Sequence, residues 1–494
     1  MSRSDQHTVS PKDTNLGSDQ AQSPRSPNSL EPPTWEESRL KEEQNIDINT
    51  DPDTSKEKAH ALEGDVAQSI IINDSNAKLG DNESRPPINP TDPSQFPDGG
   101  LQAWLCVVGA VCGLIASFGW INAIGIFQEH YQRNQLRDYT PQEIAWIPSL
   151  EGSMMWANGL WVGRVYDNYG PRYILCIGTF LHVFGLMMAS ISHKYYQILL
   201  AQGVCSPLGA AMIFYPCSSA TATWFFRRRA AALGMVAAGA SIGGVIFPIM
   251  VERLVPRVGF GWTMRTCAFL ILAIMLVCIA TVRSRIPPSP RPLRASDFTS
   301  PWKEIPFTLL TVGTFATMLG LFLPFTFLVV EARSRGVPRD LSIYLISILN
   351  GASTFGRTVP NYIADKVGRF NVLVVFATLN AIMVLAVWLP TDGVAAVVCF
   401  AVFFGFTSGA VFGLVPPLIA QISPISQIGL RTGLLFGIGS VAILVGSPIG
   451  GQLIVANDGR YTTMQGFSGA MCSVGCGIYF ALWLKMGGFK KRKV

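Results

Sequence analysis

From Leu101 onward the chain alternates between long apolar stretches and short polar breaks, and twelve such stretches can be counted. They run over 101–127, 144–163, 173–191, 197–223, 230–251 and 262–282, then 305–330, 341–361, 371–390, 394–421, 429–455 and 464–486. Each is roughly the length that crosses a bilayer as one helix. A polar, proline-rich connector at 283–304 separates the sixth from the seventh. The pattern therefore predicts an all-α integral membrane protein with a six-helix bundle over 98–282 and a second over 305–486. Residues 1–97 are rich in Ser, Pro, Asp, Glu and Asn and nearly free of aromatics, so a disordered cytosolic tail is expected there. No basic segment followed by an apolar core opens the chain, so no cleavable signal peptide is expected. Residues 487–494 read as a short basic cytosolic end.

Composition sharpens this picture. Hydrophobic residues make up 49% of the chain and charged ones 14%. Before Asp98 there are 18 acidic and 9 basic side chains, which leaves 14 and 29 for the rest. That basic excess falls about two to one on the loops of one side. Such a bias places both termini in the cytosol and argues for contact with anionic lipid rather than nucleic acid. The ten cysteines all lie in or near apolar runs and read as buried small hydrophobes, which says nothing about a disulfide framework; they show no metal-ligand spacing, so no metal is expected. The five histidines form no cluster, no Walker loop is present, and no cofactor is expected. His182 reads as a hydrogen-bonded core residue.

Three motifs stand out. Trp224 to Gly244 reads WFFRRRAAALGMVAAGASIGG: two aromatics, the basic triplet Arg227, Arg228 and Arg229, then a helix with a small face at Gly234, Ala238, Gly239 and Gly243. The triplet suits a cytosolic membrane edge, and the small residues admit a neighbouring helix closely. Asp98-Gly99-Gly100 leads into the first span. Finally, Asp167-Asn168-Tyr169-Gly170-Pro171-Arg172 joins spans two and three, and Asp365-Lys366-Val367-Gly368-Arg369 joins spans eight and nine. The repeat at half-length suits two bundles rocking about a central site.

The first two motifs resemble signatures of the monocarboxylate porter family, within the major facilitator superfamily. The repeated loops resemble that superfamily's Asp-x-x-Gly-Arg motif, in which the aspartate caps a helix start and pairs with basic groups. In the first copy Pro171 stands where Arg is usual. The resemblance covers residues 98 to about 490 and implies a major facilitator fold with a secondary-transport function, of the fungal type.

Charges inside spans need a reason. Arg357 lies in span eight on a stripe with Asn350, Ser353, Thr354 and Asn361 at helical spacing, which predicts a polar face toward a central cavity. A guanidinium there can grip a carboxylate through two parallel hydrogen bonds, or pair structurally with another helix. The resemblance implies the first role, because animal members of the family bind the substrate carboxylate through a span-eight arginine. Those members carry an aspartate where Ser353 stands and a lysine where Asn122 stands, so their proton-coupled lactate symport is not expected here. With Arg357, the neutral Asn122, Asn350, Ser353 and Asn361 are the candidate substrate-binding residues, suited to a larger, partly polar solute. Glu151 in span two reads either as a proton site or as an outer-end residue paired with a loop arginine. Glu331, closing span seven, reads as solvated. Trp120, Phe214, Tyr215 and Phe412 are candidates to line a cavity for an aromatic solute.

The expected function is secondary active transport of an organic anion or secondary metabolite across the plasma membrane by alternating access, with protons as a candidate coupling partner. The competing class is a non-transporting nutrient sensor that signals through its tail.

Overall fold

The computed structural model describes residues 96–487, apart from 289, 291, 293, 294, 391 and 392. The expected tail and the basic C-terminal end lie outside the described residues, except Phe96, Pro97 and Gly487. The described residues contain helices and no strand. Among the described residues, nine helices are long and apolar enough to cross a membrane. One of these, Arg229–Thr281, has 53 residues and breaks direction at Gly259, where φ is 77°. Only glycine adopts that conformation without strain, so this helix supplies both span five and span six. Two further helical segments are long enough to span but more polar. Pro141–Ala157 continued by Gly159–Tyr169 forms span two, and Arg339–Val367 forms span eight. Among the described residues this gives twelve membrane helices in two bundles of six.

Span ends differ from the apolar stretches for a local reason. Thr140 caps span two with a full capping box, its hydroxyl accepting from the Glu143 N–H while the Glu143 carboxylate accepts from the Thr140 N–H. That helix start draws in polar residues a hydropathy pattern leaves out. At its other end the helix continues to Tyr169, so Arg164 and Asp167 sit inside span two rather than in a loop. Span four contains a π-helical stretch, Leu199–Cys205, followed by Ser206–Ala222. The wider turn carries one extra residue inward.

The halves meet along two seams, span five on span eight and span two on span eleven (Ile428–Val455). These pairs exchange when the halves are interchanged. Small residues make both seams possible. A methyl group on Gly234 would strike Arg357 and Asn361 of span eight, and one on Gly163 would overlap the Gly429 backbone. Gly239 and Gly243 serve a different neighbour, packing against Val111, Ile115 and Gly119 of span one. The small face read from the sequence is thus two faces, one for each adjoining helix.

Candidate functional site

The repeated aspartates reach across the seams at one end of the bundle. Asp365 accepts hydrogen bonds from the N–H groups of Ala230 (3.0 Å) and Ala231 (2.8 Å), which open span five. Asp167 accepts from Gly429 (3.1 Å) and Leu430 (2.9 Å), which open span eleven. Each carboxylate therefore meets the positive end of a helix from the opposite half. Arg369 holds Asp365 (2.9 Å) and also donates to the Phe226 carbonyl oxygen (3.0 Å). The first copy has no such clamp. Pro171 occupies the helix start there, and Arg172 is exposed. Gly170 and Gly368 both take positive φ, 75° and 118°, as the two loops require.

The basic triplet is not uniform. Arg227 and Arg228 are exposed, whereas Arg229 is 2% exposed, with Nε donating to the Phe225 carbonyl oxygen and Nη1 to that of Ala420 at the end of span ten. The triplet's backbone is organised by Asp98. Its Oδ1 accepts from the N–H groups of Phe226 (2.7 Å), Arg227 (2.8 Å) and Arg228 (3.3 Å). Asp98 itself has φ 47°, a left-handed conformation that Asp tolerates better than most residues, and Gly100 follows at 88°. Gly99 lies beside the Trp104 indole. Replacing Asp98 by Ala orphans three backbone donors at once. We expect a clear fall in the thermal unfolding midpoint of the solubilised protein, with Asp98→Asn, whose amide oxygen can still accept, recovering most of it.

Midway along the bundle a cavity lies between the halves, walled by Phe118 of span one, Trp156 of span two, Phe214 of span four, Phe412 of span ten and Phe436 of span eleven. These rings pack on one another, with Trp156 meeting Phe436 edge-on at 4.5 Å between centroids. Spans five and eight complete the wall with Ala237, Ala240 and Arg357. The space is about 30 Å³, room for roughly one water. A molecule much larger than water does not fit this space in the arrangement seen.

Arg357 is the cation of this cavity. It is 4% exposed, and its guanidinium carbon lies 5.7 Å from the Phe118 ring centroid and 5.9 Å from that of Phe412. Nη1 donates to the Ala237 carbonyl oxygen (2.8 Å), while Nε is buried without a partner. No carboxylate among the described residues neutralises it. The remaining polar residues of the expected stripe do not share its position. Asn350 packs under Gly244, Ser353 against Gly409, and Asn361 wedges between Gly234 and Gly413. They fill the close contacts of span eight with spans five and ten, so the expectation of a continuous polar face toward the cavity is corrected. Asn122 is likewise outside the cavity wall, donating from Nδ2 to the Ala240 carbonyl oxygen (3.1 Å). Of the four aromatics proposed from sequence, Phe214 and Phe412 line the cavity. Tyr215 instead donates to the Trp156 carbonyl oxygen, and Trp120 packs at a tilt against Phe127 and edge-on against Phe247. Phe118, Trp156 and Phe436 were missed. Phe118 and Phe436 sit in spans apolar on every side, where periodicity does not mark the inward face. Trp156 lies in the more polar span two, where its spacing from Glu151 does not mark a cavity side.

Two buried glutamates have parallel surroundings. Glu151 is 1% exposed and accepts from Gln202 Nε2 (3.0 Å), with the Trp120 indole against the same carboxyl group. Its expected alternative, a pair with a loop arginine, is absent among the described residues. Glu331 is 0% exposed and accepts from Gln465 Nε2 (3.1 Å) and Trp388 Nε1 (3.3 Å), so its reading as a solvated span end is corrected. Glu331 also forms an ion pair with Arg335, one turn on. His182 is buried and hydrogen-bonded to Ser206 Oγ (2.9 Å) and the Ala116 carbonyl oxygen (3.1 Å).

Twelve membrane helices in two halves, with a charged aromatic cavity on the axis between them, define a carrier for small molecules and not an enzyme. The chain belongs to the Major Facilitator Superfamily, whose pattern it matches over residues 107–403. It is 50% identical over 403 residues to MFS-type transporter 1 of Ophiocordyceps sp. (strain BCC 1869), covering 82% of this chain and 90% of that protein. It is 43% identical over 383 residues to the fujikurins efflux protein of Gibberella fujikuroi, covering 77% and 82%. Among solved structures it resembles the human organic anion transporter MFSD10, with a TM-score of 0.63 at 12% identity, over 76% of this chain and 98% of that one.

Proposed function

We propose that the protein is a carrier of monocarboxylate-porter type that exports an acidic secondary metabolite with an aromatic body across the plasma membrane. The observation that carries this reading is Arg357, a buried guanidinium whose Nε–H has no hydrogen-bond partner, set between two rings and facing an aromatic cavity with no countercharge among the described residues. A buried cation left unpaired by the protein costs several kcal/mol, and an anionic solute supplies the missing partner through paired N–H donors. The rings stack on the solute's body. A relative named for fujikurin efflux supports the outward direction and the secondary-metabolite class. The basic excess of the loops supports a cytosolic position for the end with the repeated aspartates and for both termini. In this arrangement the aspartates close the cytosolic side, and Arg357 alone among the polar residues of its stripe contacts the solute. The relatives described above are named as transporters, which favours carriage over nutrient sensing.

The test is exchange of labelled 1-naphthalenesulfonate, a permanently charged aromatic anion, by the full chain in lipid vesicles. Unlabelled 1-naphthalenesulfonate should compete, while the neutral 1-naphthalenesulfonamide and the compact anion methanesulfonate should each compete at least about tenfold more weakly, since each lacks one of the two contacts. Equal competition by the sulfonamide, or no exchange at all, counts against the anion reading.

A further inference from the structure

We propose that Glu151 is the proton-binding residue that couples this carrier to a proton gradient, and that Gln202, held by Tyr131, is the positioning residue that hydrogen-bonds the acid both with and without its proton. The proposal deepens the carrier reading above by naming the coupling partner.

Its basis is the contrast between the two buried glutamates. Both sit among a glutamine and a tryptophan. Glu331 has Arg335 as its countercharge, so its charge is balanced within the protein. Around Glu151 span one contributes Tyr131 and Trp120, span four contributes Gln202, and span eleven contributes Ile443, packed on neighbouring Gly152. Tyr131 is the titratable group facing it, and no charged group does so among the described residues. Glu151 Oε1 and the Trp120 indole nitrogen are both buried without a hydrogen bond that satisfies normal geometry. Taking a carboxylate out of water with no countercharge is expensive, and taking up a proton removes that expense.

The hydrogen-bonded pair suits both states of the acid. Tyr131 donates from its hydroxyl to Gln202 Oε1, and Gln202 donates from Nε2 to Glu151 Oε2. That order serves an ionised carboxylate. If the amide turns over, Gln202 Oε1 accepts the O–H of a protonated Glu151 and its Nε2 donates to the Tyr131 oxygen. One amide rotation therefore satisfies the acid with or without its proton. Gln202 owes its place to the π-helical stretch Leu199–Cys205, a feature often found at functional sites. Tyr131 lies near the end of span one, next to the half-buried His130, whose ring is stacked on Phe260. Glu151 lies eleven residues beyond the Thr140 cap, about 16 Å along the helix. Trp156, about one and a half turns further, forms the cavity wall. Protonation and solute occupancy thus act on one helix, at the span-two seam where the halves part.

The experiment compares wild type with Glu151→Gln in vesicles loaded with labelled 1-naphthalenesulfonate, which has no titratable proton. Without a gradient both should exchange the anion at similar rates. An external-acid gradient should accelerate net efflux by wild type and have no effect on Glu151→Gln. Gln202→Leu, which keeps the acid and removes the amide that hydrogen-bonds it in both protonation states, should also lose the acceleration. A gradient response that persists in Glu151→Gln, or in Gln202→Leu if Glu151→Gln does not fold, overturns the proposal. If wild type does not exchange this anion, the anion reading fails separately. Infrared difference spectra between acidic and alkaline buffer then decide: a carboxylic acid band missing from Glu151→Gln supports the assignment, and identical spectra overturn it.

Discussion

Arg357→Ala is expected to lower exchange of aromatic anions about 100-fold or more while leaving the protein at least as heat-stable as wild type. The first half follows from the cavity. Truncating one partner of a desolvated charge pair typically costs about 2–5 kcal/mol, and each 1.4 kcal/mol is a factor of ten in affinity. The second half separates substrate contact from structure. The guanidinium is buried with one hydrogen bond to a backbone oxygen and no carboxylate. Its removal relieves an unbalanced charge instead of breaking an ion pair. An arginine pinning span eight to span five would behave oppositely, with the melting temperature falling and exchange lost only as folded protein is lost. Arg357→Lys should keep the charge yet lose paired donation to the anion, and so fall between. The check is a thermal melt and an exchange assay on the same purified samples. A lower melting temperature with unchanged exchange by the remaining folded protein would remove Arg357 from the site.

Two glycine substitutions should differ sharply in kind. A side chain on Gly356 would overlap the Phe406 carbonyl oxygen, in the contact of span eight with span ten within one bundle. That contact has no alternative arrangement, so Gly356→Val should yield little folded protein. Gly163 meets Gly429 across the seam between the bundles. A carrier that alternates access opens that seam in its cycle. Gly163→Val should therefore fold, but be unable to close the end where Asp167 reaches Gly429 and Leu430. The measurement is a spin-label distance between Arg172→Cys and Ser426→Cys, exposed positions on opposite halves at this end. It should lengthen in Gly163→Val, and transport should fall with it. If Gly163→Val fails to fold as Gly356→Val does, the seam is a fixed part of the core, and alternation there is wrong.

The positions of the motifs were readable, but their partners were not. Asp98-Gly99-Gly100 and the arginine triplet lie about 128 residues apart, and nothing along the chain indicates that the Asp98 carboxylate binds the triplet's own backbone. The aspartates of the repeated loops were recognisable as helix caps, yet the helices they cap belong to the opposite half. Gln202 and Tyr131 went unremarked because a lone glutamine or tyrosine in a span is unremarkable until a π-helical turn and a neighbouring helix bring it to a buried acid.

The sequence by itself determined the solvent: uninterrupted apolar stretches must cross a bilayer as helices, because lipid offers backbone N–H and C=O groups no other partner. It therefore determined the number of spans, their division into halves and the cost of each intramembrane charge. Only the tertiary structure decided which way each helix faces. In lipid, apolar side chains are equally at home inside and outside the bundle, so periodicity loses the contrast that orients a helix in water. That is why Arg357 could be found from its charge, while Phe118, Trp156 and Phe436 around it, and the neutral surroundings of Glu151, came only from the packing of one helix on another.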